Sequence, residues 1–393
     1  MPRLTKPPPD ALAHAGSALI GQGVGAIDTP ALVVDLDAME RNLARMAAFA
    51  KAQGVRLRPH AKMHKSAALA LRQIEAGAVG VCVQKTSEAE ALAAGGVNDI
   101  FISNEVIAPH KLQRVARLAS ALHARGGRLA IAVDSLQGVQ GLAHALNNPV
   151  TDPLIDVFVE LDVGHGRCGV ATPEAAVRLA RVIARHPALR FAGLQAYHGR
   201  AQHLRSVQER RDAFASALAL VQAACAQLQA AGLPAALVTG AGTGTFALEA
   251  ASGVYGELQA GSFLFMDADY ARNEADPEQP QFEHALFVKT QVMSVCPTHA
   301  VCDAGHKSHA IDSGLPLVHG AALEYCNGGD EHGILRSTRP DVHLPAIGDV
   351  LWLIPGHCDP TVNLHEQLIG VRGGLQRGTV AELIRVDARG ALT

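Results

Sequence analysis

DIFISNEVIAPHKLQRVARLASALHARGGRLAIAV, residues Asp99 to Val133, decides the fold of this chain. Asp99–Ile102 reads as a short apolar strand, Pro109–Ala124 as a helix, and Leu129–Val133 as a second apolar strand. Neither strand alternates apolar with polar residues along its length. Such strands are buried on both faces, which is the pattern of a parallel sheet covered by helices.

The same unit recurs on either side. Val55–Arg58 and Val79–Val83 precede it, and Ile155–Glu160, Phe191–Gln195, Ala236–Val238 and Gly253–Leu258 come after it. Helical stretches such as Ser87–Ala94 and His203–Ala231 lie between them. Eight such strands predict an α/β fold, a (β/α)8 TIM-like barrel with its functional residues at the C-terminal strand ends. An open doubly wound sheet is the structural rival. The earlier run ALVVDLDAMERNLARMAAFAKAQG, Ala31 to Gly54, reads as a ninth strand outside the barrel followed by a helix. Asp37 is its expected N-cap and Gly54 its stop. Beyond a polar stretch at Asp267–Phe282, the runs ALFVKTQVMSV, GDVLWLIP and TVAELIRV read as antiparallel strands. The expected domains are a barrel over residues 27–275 and a β-rich domain over 276–393, with residues 1–26 a candidate addition to the second.

The chain has 393 residues, 34 Lys plus Arg, 37 Asp plus Glu and a formal net charge of −3. That balance argues against a nucleic-acid partner and for a small molecule. Seven scattered cysteines without a CxxC pair predict a reduced, cytoplasmic chain rather than a disulfide framework. The apolar window Ala217–Val238 is interrupted by Gln222, Gln227, Gln229 and Pro234, so it reads as a core-facing helix and then a strand, not a membrane span.

Candidate site residues fall at strand ends. RLRPHAKMHKS, Arg56 to Ser66, comes after the first barrel strand and crowds Arg56, Arg58, His60, Lys62, His64 and Lys65 together. Lys62 there can form a Schiff base if neighbouring cations such as His64 and Lys65, or desolvation, lower its pKa. The alternative is a solvated basic loop. TGAGTGTF, Thr239 to Phe246, succeeds the seventh strand and QAGSF, Gln259 to Phe263, the eighth. Those are the positions where barrels bind phosphate, although either can be a plain turn. Gln84 ends the second strand, Arg167 comes after the fifth, and Tyr197 and His198 end the sixth; Arg167 can donate to an anion, Tyr197 can pack on a ring, and His198 can move protons. Each residue type also serves structural roles. His357 and Asp359 in PGHCDPTVNLHE lie two residues apart, so an extended backbone would aim both at one divalent ion and turn Cys358 away. The segment CDAGHKSHAID, Cys302 to Asp312, is dense in polar groups but has no separate assignment.

RPHAKMHK, LDVGHGRCG, QAYHG, GAGTGT, QAGSF and PGHCDPTVNLHE, in this order, resemble the D-threonine aldolase and D-serine dehydratase family, pyridoxal phosphate enzymes of the alanine-racemase-like fold. The resemblance covers the chain from about Thr29 onward. Met63 departs from it, since the family more often has Thr there. The resemblance implies pyridoxal 5'-phosphate on Lys62, with Gly242, Thr243, Gly244, Gly261 and Ser262 around its phosphate and Gln84, Arg167 and Tyr197 lining it. His357 and Asp359 would bind a divalent metal, Mn2+ ahead of Mg2+ or Zn2+. Dehydratase members tend to have His-x-Cys, so His-x-Asp resembles the aldolase branch. Retro-aldol cleavage of a D-β-hydroxy-α-amino acid, D-threonine to glycine and acetaldehyde, is the implied reaction, with Lys62 and His198 catalytic. D-serine or D-3-hydroxyaspartate dehydration is the alternative, and a homodimer the implied assembly.

Overall fold

Apolar runs that do not alternate become parallel strands. The eight barrel strands are Arg56–Leu57, Val81–Val83, Asp99–Ile102, Arg128–Val133, Ile155–Glu160, Leu189–Ala196, Leu237–Gly240 and Glu257–Leu258, hereafter the first to the eighth. The second to the eighth pair in sequence, every ladder parallel, and the eighth returns to the first. A bridge between His60 and Cys82 joins the first to the second. There the Ala61 N–H donates to the Cys82 carbonyl at 2.8 Å and the Cys82 N–H to the Pro59 carbonyl at 2.9 Å. The ring is therefore the expected barrel, and all eight C-terminal ends share one rim.

The strands place alternate residues on opposite faces. Val81, Ile100, Ile131 and Val157 pack outward in a core shared with the helices. Cys82, Phe101, Ala130, Ala132 and Phe158 form a separate inner cluster, with the two Phe rings 4.9 Å apart. The helix Val207–Ala230 is long and apolar enough to cross a membrane by composition alone. Its buried stripe of Ala217, Val221, Ala224 and Leu228 has helical spacing and packs on the outward core. Ser206 opens it with a capping box: its hydroxyl accepts from the Glu209 N–H at 3.1 Å, and Glu209 accepts from the Ser206 N–H at 3.2 Å.

The computed structural model describes residues 18–146 and 155–393, and these fall into two units. One comprises the chain up to Asn42 with Leu264–Ala268 and Glu283–Val386; the other comprises Leu43–Phe263, Asp269–Phe282 and Asp387–Thr393. The boundaries thus differ from 27–275 and 276–393. The strand Ala31–Asp35 belongs to the β-rich unit, where it pairs antiparallel with Leu286–Cys296 and parallel with Gln367–Arg372 in a nine-stranded sheet. Residues 18–26 join the same unit, while residues 1–17 lie outside the described residues. The tail belongs to the barrel unit: the Ala388 N–H donates to the Lys65 carbonyl at 3.0 Å, and the Ala67 N–H to Asp387 Oδ2 at 2.8 Å. One cap also shifts. Asp35 Oδ1 accepts from the N–H groups of Asp37 and Ala38 at 3.0 and 3.1 Å, so Asp35 rather than Asp37 opens the helix Leu36–Ala52. Asp37 instead accepts from the Gly373 N–H at 2.9 Å and from Arg372 Nη1 at 2.9 Å.

Candidate active site

The basic stretch after the first barrel strand resolves residue by residue. Arg58 is buried and donates to Glu257 Oε1 at 3.0 Å and to Asp99 Oδ1 at 2.5 Å. Arg56 reaches the other oxygen of Glu257 at 3.0 Å. Lys65 is held at φ 53°, and its Nζ lies 3.0 Å from Glu88 Oε1, both side chains being buried. His64 is fully buried; its Nδ1 accepts from the Ser66 N–H at 3.0 Å, which leaves Nε2 to donate to Gln73 Oε1 at 3.2 Å. That tautomer is neutral. Of the neighbours expected to act on Lys62, Lys65 is thus paired with the Glu88 carboxylate and His64 is held between Ser66 and Gln73.

Lys62 lies half-buried in the turn at the C-terminal end of the first strand. His60, two residues before it, is buried, and burial pushes its pKa far below the ordinary value, with the charges of Lys62 and Arg167 adding to the shift. Its Nε2 is 2.8 Å from Gln84 Nε2 and 3.2 Å from Ser103 Oγ. Gln84, from the end of the second strand, thus fixes the imidazole beside Lys62.

On the rim at the fifth and sixth strands, the Arg167 guanidinium carbon stands 6.0 Å from the centre of the Tyr197 ring, within cation–π range. The His165 ring stacks on Tyr197 with centroids 6.3 Å apart. Burial lowers the pKa of His198, so a neutral base is the ordinary form. Among the described residues, no hydrogen-bond partner reaches its buried Nδ1 or that of His165. The glycines of LDVGHG and YHG make room for these rings. A Cβ on Gly164 would lie 2.8 Å from His198 Nε2, and one on Gly199 2.0 Å from His165 Cε1.

The two glycine-rich turns meet. The Phe263 N–H donates to Thr243 Oγ1 at 3.1 Å, and Ser262 opens the short turn Ser262–Leu264. Gly261 has no room for a side chain, since a Cβ there would sit 2.7 Å from the His60 carbonyl oxygen. Lys62, Gln84, Arg167, Tyr197, His198 and both turns therefore occupy the C-terminal ends of strands one, two, five, six, seven and eight. One detail departs from a plain phosphate cradle: the Gly244 N–H already donates inside the protein, to Gln202 Oε1 at 2.9 Å.

In the β-rich unit, His357 comes after the strand Val350–Ile354 in extended conformation, but Asp359 lies in the first turn of the helix Cys358–Val362. The expected extended pair is thus replaced by a helix start. His357 Nε2 and Asp359 Oδ1 nevertheless face each other across 3.8 Å, near the roughly 3.4 Å that separates two donors on one tetrahedral ion at about 2.1 Å. Cys358 turns away, fully buried, with its N–H donating to Asp267 Oδ2 at 3.1 Å. His357 Nδ1 is 2.7 Å from Asp312 Oδ2 and 3.3 Å from Ser313 Oγ. Burial opposes charge on this ring, yet Asp359 and Asp312 hold its pKa above the ordinary value. A carboxylate on Nδ1 leaves Nε2 for a metal, and one nitrogen with one hard oxygen suits a divalent ion whose other positions are filled by water. The residues fit the group.

Comparison with known proteins identifies the family. Residues 34–269 match the family described as alanine racemase, N-terminal domain, and residues 285–371 the one described as putative serine dehydratase domain. The 3-hydroxy-D-aspartate aldolase of Paracoccus denitrificans (strain Pd 1222) is 44% identical over 380 residues, 95% of each chain. The D-threonine aldolase of an Arthrobacter species is 42% identical over 372 residues, 94% of this chain and 95% of that one. The chain belongs to the D-threonine aldolase and D-serine dehydratase family. The crystal structure of D-threonine aldolase from Filomicrobium marinum superposes on it with a TM-score of 0.90 at 45% identity, covering 95% of this chain and 99% of that one.

Sequence reading of this family member missed several groups. Glu160 ends the fifth strand, and burial together with the nearby Glu105 pushes its carboxyl up to about 9. Glu105, Asp134 and Cys168 bring ligand atoms within 4.8 Å of one another next to it. Burial and Glu105 raise the Cys168 thiol to about 11. Glu160 stood in plain view as the last residue of an apolar strand, the position used to select Gln84 and Tyr197. Asp312 and Gln202 carried no comparable positional signal.

Proposed function

We propose that this protein cleaves D-β-hydroxy-α-amino acids by a retro-aldol reaction, D-threonine giving glycine and acetaldehyde. The carrying observation is the His357–Asp359 pair, a carboxylate with Cys358 turned into the core, in a chain 42–44% identical to two aldolases over almost its whole length. Lys62 would hold pyridoxal phosphate, which would supply an electron sink for the carbon–carbon cleavage. His357 and Asp359 would hold a divalent ion, Mn2+ in the first instance, which would supply a Lewis acid for a hydroxyl group. The protein's own groups do the rest. Lys62 presents its amine at the barrel rim; Arg167 and Tyr197 would line the cofactor; Gln84 fixes His60 beside the lysine. His198, neutral because burial lowers its pKa, takes the β-hydroxyl proton as the Cα–Cβ bond breaks. A proton returned to Cα completes glycine, so atoms balance without added water.

A second substrate is favoured by the rim charges. At His165, after burial, Arg167 and Arg200 both lower the pKa and outweigh the opposing Asp162, and a β-carboxylate would suit these two guanidinium groups. The substrate 3-hydroxy-D-aspartate carries one. Dehydration is the competing outcome, and the D-threo-3-hydroxyaspartate dehydratase of Delftia sp. (strain HT23) is 37% identical over 249 residues, 61% of this chain. The seven cysteines form no disulfide, which supports a cytoplasmic enzyme, and we read it as a homodimer.

The test is a product assay with D-threonine and with 3-hydroxy-D-aspartate. An aldehyde plus glycine is expected from each, whereas a 2-oxo acid plus ammonia would replace the aldolase by the dehydratase. The protein incubated with pyridoxal phosphate and desalted is expected to be yellow, and Lys62→Ala colourless. A colourless wild type would sink the cofactor reading.

A further inference from the structure

We propose that Gln202 is the residue that sets the Thr239–Phe246 turn in its phosphate-ready shape, a positioning role that rests on the pyridoxal phosphate reading above. Gln202 lies in the short 3-10 turn Gly199–His203 after the sixth strand and is fully buried. A buried primary amide needs partners for both ends. Here Oε1 accepts from the Gly244 N–H at 2.9 Å, and Nε2 donates to Thr245 Oγ1 at 2.8 Å and to the His198 carbonyl at 3.2 Å. Its own main-chain oxygen accepts from Asn273 Nδ2 at 2.8 Å.

The glycine pattern of the turn is explained by this residue, through its side chain at Gly242 and its main chain at Gly244. A Cβ on Gly242 would lie 2.5 Å from Gln202 Oε1, and one on Gly244 2.5 Å from the Gln202 carbonyl oxygen. Both glycines are thus required by the close approach of Gln202, whether or not a ligand is bound. Between the seventh strand and Gly242, buried Ala241 is held at φ 74°, a left-handed conformation that an L-residue rarely adopts. Such a conformation persists only where its surroundings enforce it. Gln202 clamps one side of the turn, while Gln279 Nε2 donates to the Thr243 carbonyl at 2.8 Å on another.

A turn whose shape is fixed before a ligand arrives loses little entropy on binding, which raises affinity. The benefit is specific to the part of the ligand the turn touches. Removing Gln202 should therefore weaken binding of the phosphate group while leaving the chemistry at Lys62 intact. The bond from Nε2 to the His198 carbonyl also ties the proton-transfer residue to the same clamp.

Absorbance titration of the cofactor-free protein with pyridoxal phosphate and with pyridoxal separates these contributions. The wild type is expected to prefer the phosphorylated form strongly. In Gln202→Ala that preference is expected to fall at least 10-fold, with the Kd for pyridoxal unchanged. Gln202→Glu keeps the size and loses both Nε2 donations, so it should fall in the same direction; it decides the matter if the alanine variant does not fold. Equal weakening for both ligands, or an unchanged preference, overturns the role of Gln202. A wild type that forms no Lys62-dependent colour with either ligand overturns the cofactor reading, and this inference with it.

Discussion

Glu249 is fully enclosed, and its Oε1 accepts from Thr245 Oγ1 at 2.8 Å, the same hydroxyl that Gln202 holds. Burial pushes its pKa from 4.5 up to about 7. The folded protein therefore binds this proton more tightly than the unfolded chain does. The stabilisation is fully present below about pH 4.5 and is lost as pH rises through about 7. Gln at this site mimics the protonated form, so Glu249→Gln is expected to exceed the wild type in stability at pH 8.5 by on the order of 3 kcal/mol, and to match it near pH 4.5. Urea unfolding at the two pH values checks this; a constant difference between variants across pH would refute the burial argument. Such partners are where sequence reading stops. The identities at strand ends were legible, because position in a barrel selects them. That Lys65 answers Glu88, or that His64 is neutral, depends on which distant side chain arrives in the same few ångströms.

At the scale of the strand, the apolar runs gave the count and order of barrel elements, since burial on both faces leaves a local mark in the sequence. Irregularities leave none. The pairing of the fifth and sixth strands matches Val157 with Phe191 and Phe158 with Gly193, so Ala192 is passed over in a bulge. Gly193 sits at φ 145°, and a Cβ there would lie 1.8 Å from the Leu237 carbonyl oxygen on the seventh strand. The bulge sets the register of Gln195, and through it the places of Tyr197 and His198 on the rim. Gly193→Ala is expected to cost on the order of 3 kcal/mol or to abolish soluble expression. Yield and urea denaturation measure it, and a loss below about 1 kcal/mol would mean the strand can shift to absorb the methyl. The start of the helix Cys358–Val362 was hidden for a related reason: GHCDP carries no more than the His357–Asp359 spacing, and the turn that converges the two side chains is local backbone geometry.

For the whole chain, the division into barrel and β-rich units was legible as a change of periodicity, but its discontinuity was not. The strand Ala31–Asp35 is completed by residues 286–289 and 369–371, and no local signal announces partners so far away. The consequence is functional. Lys62, Gln84, Arg167 and both glycine-rich turns belong to the barrel unit, whereas His357, Asp359 and the orienting Asp312 belong to the other. The proposed cofactor and metal donor sets share no residue, so each should survive loss of the other's ligand. Chelation is expected to abolish cleavage while leaving the yellow colour, and Mn2+ to restore activity. Conversely, Lys62→Ala is expected to keep its Mn2+ affinity within about twofold, while Asp312→Asn loses 10–100-fold, roughly the effect of removing an orienting carboxylate behind a metal-binding histidine. Calorimetric titration of the chelator-stripped proteins measures both. If chelation bleaches the protein, or Lys62→Ala loses Mn2+, the two sites are not independent and the assignment of donors by unit fails.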